Sequence, residues 1–395
     1  MLEIGIAGLP FRSGNKGCEA LSYSFLHLLD QAARAHEKRV RVWQLTPFPT
    51  RKWIKSGLDL GRVRAGYAPA VCPDSVETDC LFYLPAGGKI LFPGKLNRLK
   101  AVFDFTAGDS FTDLYGKERF YARTLVKRAV EKKGVPLILG SQTIGPFRDD
   151  QARGLAARVI RDAAAVYARD GESQRYAEEI SGRRPQLTSD IAFALPFEKP
   201  GKRTGARVGF NPSGLLWNGG YSRDNQFSLK ADYRAYCRQV IGALKDKYEV
   251  HLIPHAFSDN MESADNDLAA VEALHREFPQ TVAHPGLPTP MAVKTLIAGM
   301  DVMLAARMHA AIGAFSAGVP VIPFSYSRKF EGLFESLDYP YVIHGAGEDT
   351  DQAVRRTLDM VENREKLAED MARGHAKTDE STAFILGELG RLLFY

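Results

Sequence analysis

Cysteine is scarce in this chain of 395 residues, and its four copies follow no spacing pattern. There is no Cys-x-x-Cys pair, which argues against a disulfide scaffold and against a zinc ribbon. The first residues, MLEIGIAGLP, lack the basic region that opens a secretory signal peptide. We therefore expect a reduced, cytoplasmic protein.

A long hydrophobic run is also lacking. The longest stretch without Asp, Glu, Lys or Arg, 308–327, contains Gly318, Pro320 and Pro323, which favour a helix, a turn and a strand over a membrane span. The net charge of +5 is small and scattered, so it suits anionic ligands but does not predict nucleic-acid binding. The basic pI of about 8.9 and an apolar C-terminal segment permit peripheral association with the inner face of a membrane. The sequence indicates no oligomeric state.

Short apolar runs alternate with helical segments along most of the chain, which is the pattern of a doubly wound parallel sheet. The pattern restarts after a polar stretch rich in Pro and Gly, PFEKPGKRTGA, which we interpret as a linker at 196–206. The predicted fold is α/β, with two Rossmann-like doubly wound lobes, 1–195 and 207–375, that face a cleft. We expect the C-terminal residues, 376–395, to form a helix that docks on a lobe. In residues 46–100 the sequence shows no pattern of a regular helix or strand.

Ligands of open α/β sheets bind outside the carboxyl ends of the strands, so polar residues and glycines at predicted strand ends are site candidates. Each has a structural alternative as a cap, a turn residue or a salt-bridge partner. In the first lobe the candidates are Gly14, Asn15, Gly17, Glu19, Asp109, Gln142, Arg169 and Asp190. In the second lobe they are Asn211, His255, Arg307, His309, Tyr326 and Lys329.

Two phosphate-binding signatures are absent. Gly8, Gly14 and Gly17 do not have Gly-x-Gly-x-x-Gly spacing, and no Gly-Lys-Ser/Thr follows them, so neither a dinucleotide fingerprint nor a P-loop is predicted. The turn that holds Gly14, Asn15 and Gly17 either brings its backbone close to a ligand or caps the helix that follows. No metal site is predicted.

The stretch DVMLAARMHAAIGAFSAGVPVIPFSY, 301–326, predicts a strand, a tight turn, a short helix and a second strand. Arg307 and His309 lie where the first strand gives way to the helix, and the N–H groups and dipole of a helix start attract anions. Lys329 follows the second strand and adds a third cationic group. The alternative is a salt-bridged Arg beside a buried His, but the three groups together favour a site for phosphate or carboxylate.

Several motifs occur in the order found in polysaccharide pyruvyl transferases, and the chain resembles that family over most of its length. The motifs are GNKGCEA at 14–20, TAGDSFTDLYG at 106–116, SQTIGPF at 141–147, YARDGES at 167–173, SD at 189–190, IPH at 253–255 and RMHAAIGAFSAGVPVIPFSYSRK at 307–329. No single motif is long, but their ordered combination is specific. The chain has Gly17-Cys18-Glu19 where many members have Gly-Asp-Glu, so no acid role is expected at Cys18.

The resemblance implies a fold similar to that of two-lobed GT-B glycosyltransferases. It implies transfer of the pyruvyl group of phosphoenolpyruvate onto a sugar as a ketal, with release of phosphate and without a cofactor. Arg307 and His309 match the family's Arg-x-His motif at the phosphoenolpyruvate site, Arg169 matches a further donor contact, and Lys329 matches the lysine of a Tyr-x-x-Lys stretch. The acceptor is a sugar, a lipid-linked oligosaccharide or a polysaccharide, and the sequence does not choose between them.

The corresponding hypothesis makes His309 the general acid that protonates the donor's methylene carbon, with Glu19 or Asp190 as the base for the acceptor. Lys329 and Arg169 balance the charge of the leaving phosphate. Two other functions stay open: a glycosyltransferase that uses a nucleotide sugar, and a non-catalytic protein that binds sugar or phosphate. An NAD dehydrogenase is disfavoured because the glycine fingerprint is missing.

Overall fold

The computed structural model describes residues 1–48, 60–86, 89–92, 94–201, 205–257 and 260–395. Part of the predicted linker, 202–204, and part of 46–100 therefore lie outside the described residues. The chain forms two compact units: the first holds Met1–Ser13, Leu21–Ile191 and Glu380–Tyr395, and the second holds Gly14–Ala20 and Ala192–Asp379. The loop at 14–20, which the sequence assigned to the first lobe, thus groups with the second unit.

The sheet of the first unit has eight described strands, in the order β4-β3-β2-β1-β5-β6-β7-β8. They are β1 (Leu2–Ala7), β2 (Val40–Pro47), β3 (Val76–Ala86), β4 (Lys89–Leu91), β5 (Val102–Asp104), β6 (Leu137–Gln142), β7 (Ala165–Ala168) and β8 (Gln186–Leu187). Neighbouring strands pair in parallel except β3 and β4, which form an antiparallel hairpin.

Helices cover this sheet. They are α1 (Lys16–Ala35), whose first turn belongs to the second unit, α2 (Leu60–Tyr67), α3 (Lys117–Lys132), α4 (Asp150–Asp162) and α5 (Gly171–Ser181), with short 3-10 turns at Gly94–Arg98 and Thr106–Gly108. Apolar strand residues such as Val102 and Leu139 pack with helix residues such as Val130 and Ile160 in one core cluster. Strands buried on both faces explain the continuous apolar runs of the sequence.

The sheet of the second unit has six described strands, all parallel, in the order β11-β10-β9-β12-β13-β14. They are β9 (Arg207–Asn211), β10 (Glu249–Leu252), β11 (Val282–Ala283), β12 (Val302–Ala305), β13 (Val321–Ser325) and β14 (Ile343–His344). A 3-10 turn at Ile191–Ala194 precedes them. The helices are α6 (Gly214–Trp217), α7 (Tyr233–Leu244), α8 (Asp267–Glu277), α9 (Pro290–Ala298), α10 (Met308–Ser316), α11 (Arg328–Ser336), α12 (Thr350–Glu362) and α13 (Arg364–Phe394), whose last residues belong to the first unit.

Both sheets are wound in two directions from an inner strand. The winding reverses between β1 and β5 in the first unit and between β9 and β12 in the second. Ligands of doubly wound sheets bind at such switch points, outside the carboxyl ends of the strands. Asn211 ends β9 and Arg307 follows the end of β12, so both lie at the switch point of the second unit.

The predicted fold class, α/β with two Rossmann-like doubly wound units, is confirmed. The prediction for 46–100 is wrong in its described part, because α2, β3 and β4 lie there. Acidic residues near the start of β3 interrupt the apolar pattern from which a strand is predicted. Glu77 is tolerated on this strand because its carboxylate pairs with Arg41 across the sheet at 2.7 Å.

The C-terminal helix, α13, begins at Arg364 rather than at 376. Within the first unit, its apolar residues Leu389 and Leu393 are buried. Leu389 also lines an apolar cavity of about 30 Å³ together with Phe25 and Phe103. Part of the apolar C-terminal segment is thus used in packing, whereas Phe384 of the same segment is 40% exposed, and its association with a membrane stays a prediction. None of the described helices combines the length and the apolar character that crossing a membrane requires.

Candidate functional site

Arg307 is the N-cap residue of α10, and two carboxylates at the start of α8 hold its guanidinium. Its Nη2 donates to Oδ1 of Asp267 at 2.6 Å, its Nε donates to the same carboxylate, and its Nη1 donates to Asp265. Its backbone N–H donates to Oδ1 of Asn211 at 3.0 Å. Burial by itself would lower the pKa of Arg307, but the carboxylates of Asp267 and Asp265 raise it well above its ordinary value. Arg307 therefore has the salt-bridged environment that was the alternative to direct anion binding.

Asp267 is fully buried, and its carboxylate joins several loops at the carboxyl edge of the sheet. Besides Arg307, it accepts the backbone N–H groups of Gly214 at 2.7 Å, His255 at 3.0 Å and Ala256 at 2.9 Å. Each donor compensates part of the cost of burying the charge. The ion pair thus ties the loops after β9, β10 and β12 together and fixes where α10 begins.

His309 lies in the first turn of α10, where the helix dipole and the N–H groups of the helix start favour an anion. Its ring packs against Gly17 in the first turn of α1. A Cβ at position 17 would lie 2.5 Å from Nδ1 of His309, so any side chain there would displace the ring. This close approach gives a physical reason for the second glycine of the GNKG sequence.

The first glycine of this sequence is required by its backbone. Gly14 has φ of +76°, and a Cβ there would lie 2.1 Å from the carbonyl oxygen of Phe257. Asn15 then caps α1, because its Oδ1 accepts the N–H groups of Gly17 at 3.0 Å and Cys18 at 3.2 Å. Helix capping, the structural alternative for this turn, is therefore present, and the approach of its backbone to a ligand stays a prediction.

Glu19 is buried and holds its own loop together. Its carboxylate accepts the N–H of Gly14 at 2.9 Å and pairs with Lys16 at 2.7 Å. The ammonium of Lys16 also donates to the carbonyl of Pro288, and its backbone N–H donates to the carbonyl of His255. A base role for Glu19 stays a prediction, but these contacts give its carboxylate a structural task.

His255 lies beside His309 and is kept neutral. Burial, and then the positive charges of His309, Arg307 and Lys16, lower the pKa of His255 to about 3. Its backbone bond to Asp267 fixes the loop after β10.

Lys294 of α9 is a buried lysine next to the same histidines. Its Nζ donates to the carbonyl of Leu195 at 2.7 Å, and burial lowers the pKa of Lys294 to about 7. Together with His255 and His309 it lines a cavity of about 10 Å³, which is room for about one water molecule. This cavity lies directly behind the start of α10.

The remaining candidates of the second unit lie near β13. Tyr326 follows this strand, is half-buried, and packs its ring against Phe227 and Phe330 with centroids at 4.8 and 5.6 Å. Lys329 lies in the first turn of α11, and its side chain falls outside the described part of the structure. The role of Lys329 therefore stays a prediction.

Arg169 marks a separate candidate site in the first unit. It follows β7, is buried, and pairs through Nη1 with Asp190 at 2.8 Å, while Nε donates to Oγ1 of Thr143 at 2.8 Å. Its Nη2 is buried without a hydrogen-bond partner among the described residues. Such a donor calls for an acceptor from a ligand or an ordered water. Asp190, the second candidate base, is engaged by this arginine.

A buried amide lies on the strand next to Arg169. Gln142 ends β6 and donates from Nε2 to the carbonyl of Asp104 at 2.8 Å. Its Oε1 is buried and has no hydrogen-bond partner within the described ranges. The first unit therefore has both a buried donor and a buried acceptor with unused capacity at the carboxyl edge of its sheet.

The loop after β5 is the third part of this site. Thr106 and Ala107 have positive φ angles of 45° and 55°, which cost energy for residues with a side chain and are often found at functional sites. A Cβ on the next residue, Gly108, would lie 3.1 Å from Nη1 of Arg169. Asp109 follows and accepts the hydroxyl of Tyr115 at 2.9 Å.

The candidates thus separate into two groups. Around the switch point of the second unit the structure gathers Gly14, Asn15, Gly17, Glu19, Asn211, His255, Arg307, His309 and Tyr326; the first unit holds Asp109, Gln142, Arg169 and Asp190. Sequence reasoning missed Lys16, Asp265, Asp267 and Lys294. A signal existed for Lys294, which is the lone charge in the apolar helix PMAVKTLIA. The aspartates looked like ordinary caps of α8.

No three His, Cys, Asp or Glu side chains lie close enough to share a metal ion within the part of the chain that the structure describes.

Solved structures show the class of fold to which this chain belongs. It is similar to Anabaena Alr3699/HepE in complex with UDP (12% identity, TM-score 0.54, 99% of each chain covered). It is also similar to the UDP-GlcNAc 2-epimerase of Neisseria meningitidis bound to UDP-GlcNAc (11% identity, TM-score 0.56, 99% of this chain and 100% of that chain). A third similar structure is sucrose-phosphate synthase of Thermosynechococcus elongatus (11% identity, TM-score 0.54, 100% and 99%). At such low identity these likenesses establish the fold alone, which is of the GT-B type.

No curated protein matches the chain. The sequence profile of the polysaccharide pyruvyl transferase family matches residues 15–328, so the chain belongs to that family.

Proposed function

We propose that this protein transfers the pyruvyl group of phosphoenolpyruvate onto a sugar of a bacterial-type surface polysaccharide or of its precursor. The product is a pyruvate ketal, and phosphate is released. The observation that carries the proposal is His309, an imidazole in the first turn of α10 at the switch point of the second unit. Family membership supports pyruvyl transfer, and the resemblance to the family implies phosphoenolpyruvate as the donor and a ketal as the product.

The donor has a carboxylate and a phosphate on one small carbon frame. The N–H groups of the first turn of α10 bind one of these groups, and the charge of a protonated His309 favours the other. Arg307 is engaged by Asp265 and Asp267, so we assign it a positioning role: it holds the start of α10, and with it His309, in place. Lys329 and Arg169 are the further cations for the phosphate.

The reaction needs a proton on the methylene carbon of the donor, which His309 delivers as general acid. The adjacent carbon becomes an oxocarbenium-like centre, and one sugar hydroxyl adds to it and loses its proton to a base. The carbon–oxygen bond to phosphate then breaks, a second hydroxyl closes the ketal ring, and its proton leaves with the phosphate. No electrons are exchanged, so no redox cofactor is required.

The proposal is tested by phosphate release from phosphoenolpyruvate with candidate sugar and lipid-linked acceptors, followed by mass spectrometry of the acceptor. We expect His309→Gln to reduce phosphate release by about 100-fold or more, because it removes the general acid. His344→Gln is the matched control, since His344 is an exposed histidine of the same unit. Equal activity of His309→Gln and the control would contradict the assignment.

Ligand-dependent thermal stability separates the competing functions. A shift of the melting temperature with phosphoenolpyruvate supports the proposal. A shift with UDP- or GDP-sugars alone would instead identify a nucleotide-sugar glycosyltransferase on the same fold. Binding of phosphoenolpyruvate without turnover of any acceptor in the panel would identify a protein that only binds sugar or phosphate.

A further inference from the structure

Lys294 is a buried lysine of α9 whose side chain runs along the helix that carries His309. It is 2% exposed. A Cβ on Gly313 would lie 4.0 Å from Cγ of Lys294, and Gly313 lies one turn after His309 on the same face of α10. The Nζ atom donates to the carbonyl of Leu195 at 2.7 Å and to that of Phe193 at 3.5 Å. An ammonium has three N–H donors, so one donor of Lys294 has no acceptor among the described residues.

Lys294 differs from the other buried lysines of the described ranges because it has no carboxylate partner. The others form short ion pairs, Lys16 with Glu19 at 2.7 Å and Lys127 with Asp104 at 2.8 Å. Nζ of Lys294 instead lies over the ring of Phe197 at 4.7 Å, and its pKa is lowered by burial alone. Burying an unpaired ammonium costs stability, which a methionine of similar volume would avoid. Such a lysine in a cavity beside the candidate site indicates a function in that site.

Lys294 lines the cavity behind the start of α10, which has room for a water. The cavity is lined by Lys294, His255 and His309, with Ile297 among its apolar walls. Its volume of about 10 Å³ admits about one water molecule, which needs a few polar partners. The two imidazoles and the ammonium supply these partners, and His255 stays neutral because burial lowers its pKa to about 3. One water here would connect the ammonium of Lys294 with the ring of His309.

We propose that Lys294 is a positioning residue of the transfer reaction, which holds a water in this cavity and returns a proton through it to His309 after each turnover. The inference rests on the proposed function, because it takes His309 as the general acid. An N–H bond of Lys294 breaks as the water takes that proton, and the water gives one of its own protons to the imidazole nitrogen that protonated the donor's methylene carbon. The amine of Lys294 then regains from solvent a proton equal to the one that the acceptor's base releases there. Protons therefore balance, and no electrons are exchanged.

The acidity of Lys294 suits this role. At its ordinary pKa of 10.5 a lysine donates a proton slowly, whereas burial lowers the pKa of Lys294 to about 7. The titratable and charged groups on the elements packed around it are His309 and Arg307 of α10, His255 of the loop after β10, and Lys16 and Glu19 of α1. The 3-10 turn before Leu195 and the rest of α9 add no charge. Lys16 and Arg307 are each held by a carboxylate, so their charges are constant where that of Lys294 changes.

The test measures phosphate release by wild type and by Lys294→Met in rapid-quench experiments. The first turnover uses the proton that His309 already holds, and only later turnovers depend on the relay. We expect a first turnover within about twofold of wild type and a steady-state rate about tenfold lower, which produces a burst of one phosphate per enzyme. Above about pH 8 the two steady-state rates should converge, because Lys294 of the wild type is then an amine.

Further variants separate the relay from packing. Lys294→Gln keeps a donor for the carbonyl of Leu195 but cannot supply a proton, so it should show the same burst as Lys294→Met. Ile297→Val alters the wall of the same cavity without removing a titratable group, and it should show wild-type kinetics. Lys294→Met should unfold at the urea concentration of the wild type or above it, whereas Lys127→Met should unfold below it, because Asp104 is left unpaired.

A first turnover slowed as much as the steady state in Lys294→Met and Lys294→Gln would show a structural role and overturn the proposal. Unfolding of both variants at lower urea concentration than the wild type, or an unchanged steady-state rate, would overturn it too. The proposed function fails separately. Phosphate release by His309→Gln at the wild-type rate contradicts His309 as general acid, whereas an inactive His309→Gln beside an unaltered Lys294→Met overturns the relay alone.

Discussion

Arg307 and Arg169 occupy equivalent kinds of position, each after a strand of a doubly wound sheet, but their guanidinium groups are used differently. All three nitrogens of the Arg307 guanidinium donate to Asp265 or Asp267. Arg169 donates through Nη1 and Nε, and its Nη2 has no hydrogen-bond partner among the described residues. The arginine expected to bind the anion is thus the better satisfied one. The contrast indicates that Arg307 positions the site, whereas Arg169 has capacity for a ligand.

The largest effect that tests this contrast is expected at Asp267. Asp267→Asn replaces an acceptor of three backbone N–H groups by an amide with two donors, and it leaves Arg307 without its main counter-charge. We expect a loss of about 3–5 kcal/mol in the free energy of unfolding of the second unit. The measurement is urea unfolding followed by Trp217 fluorescence after Trp43→Phe and Trp53→Phe.

Asp265→Asn is the matched control, because the Asp265 side chain is partly exposed and accepts from Arg307 at one nitrogen. We expect it to cost about 1 kcal/mol or less. If both variants left stability unchanged, Arg307 would not depend on its carboxylates, and the contrast with Arg169 would fail.

The second effect is expected at Gly17, which sets the position of the His309 ring and has no part in the ion pair of Arg307 with Asp267. The Cβ of Gly17→Ala would lie 2.5 Å from Nδ1 and 2.9 Å from Cβ of His309, so the ring must move and the start of α10 must shift with it. We expect phosphate release to fall by about 100-fold, because a displaced general acid loses its reacting geometry. Gly154→Ala is the control, since a Cβ on this α4 residue meets no atom within 4 Å. An active Gly17→Ala enzyme would show that His309 acts from another position or not at all.

The sequence predicts the fold that carries this site better than the side-chain contacts within the site. Alternation of apolar runs with helices predicts the doubly wound class, and position at strand ends brings Asn211, Arg307 and His309 to one switch point. The partners of Arg307 were not predicted, because Asp265 and Asp267 lie 40 and more residues away in the chain and resemble caps of α8. Long-range ion pairs have no local periodicity from which to infer them.

Two further features could be recognised only in the three-dimensional structure. The loop at 14–20 groups with the second unit although it precedes most of the first, and no composition signal marks that crossing. The hairpin of β3 and β4 was hidden by Glu77, whose charge is compensated only across the sheet. In both cases the deciding contact joins residues that are distant in sequence.

The third effect is acid sensitivity of the second unit through His255. The folded pKa of His255 is about 3 against an ordinary value of 6.5, so the unfolded chain binds the extra proton as the pH falls. This contribution to stability is complete above pH 6.5 and is lost towards pH 3. It amounts to about 2 kcal/mol between pH 7.5 and pH 5. Urea unfolding at the two pH values should show a smaller difference for His255→Asn than for wild type. Equal differences would mean that His255 titrates normally.

The smallest effect is expected when Arg169 and Arg307 are each replaced by lysine, which compares the two arginines directly. Arg169→Lys keeps the charge beside Asp190 but removes the guanidinium fork with its unused Nη2. We expect KM for the donor or the acceptor to rise about tenfold with little change in kcat, because the lost contact binds the ground state and the transition state equally.

Arg307→Lys should instead lower the stability of the second unit, because one ammonium cannot pair with both Asp265 and Asp267 as the planar guanidinium does. Steady-state kinetics and urea unfolding of both variants decide the matter. If Arg307→Lys raised KM at unchanged stability while Arg169→Lys destabilised the first unit, the two roles would have to be exchanged.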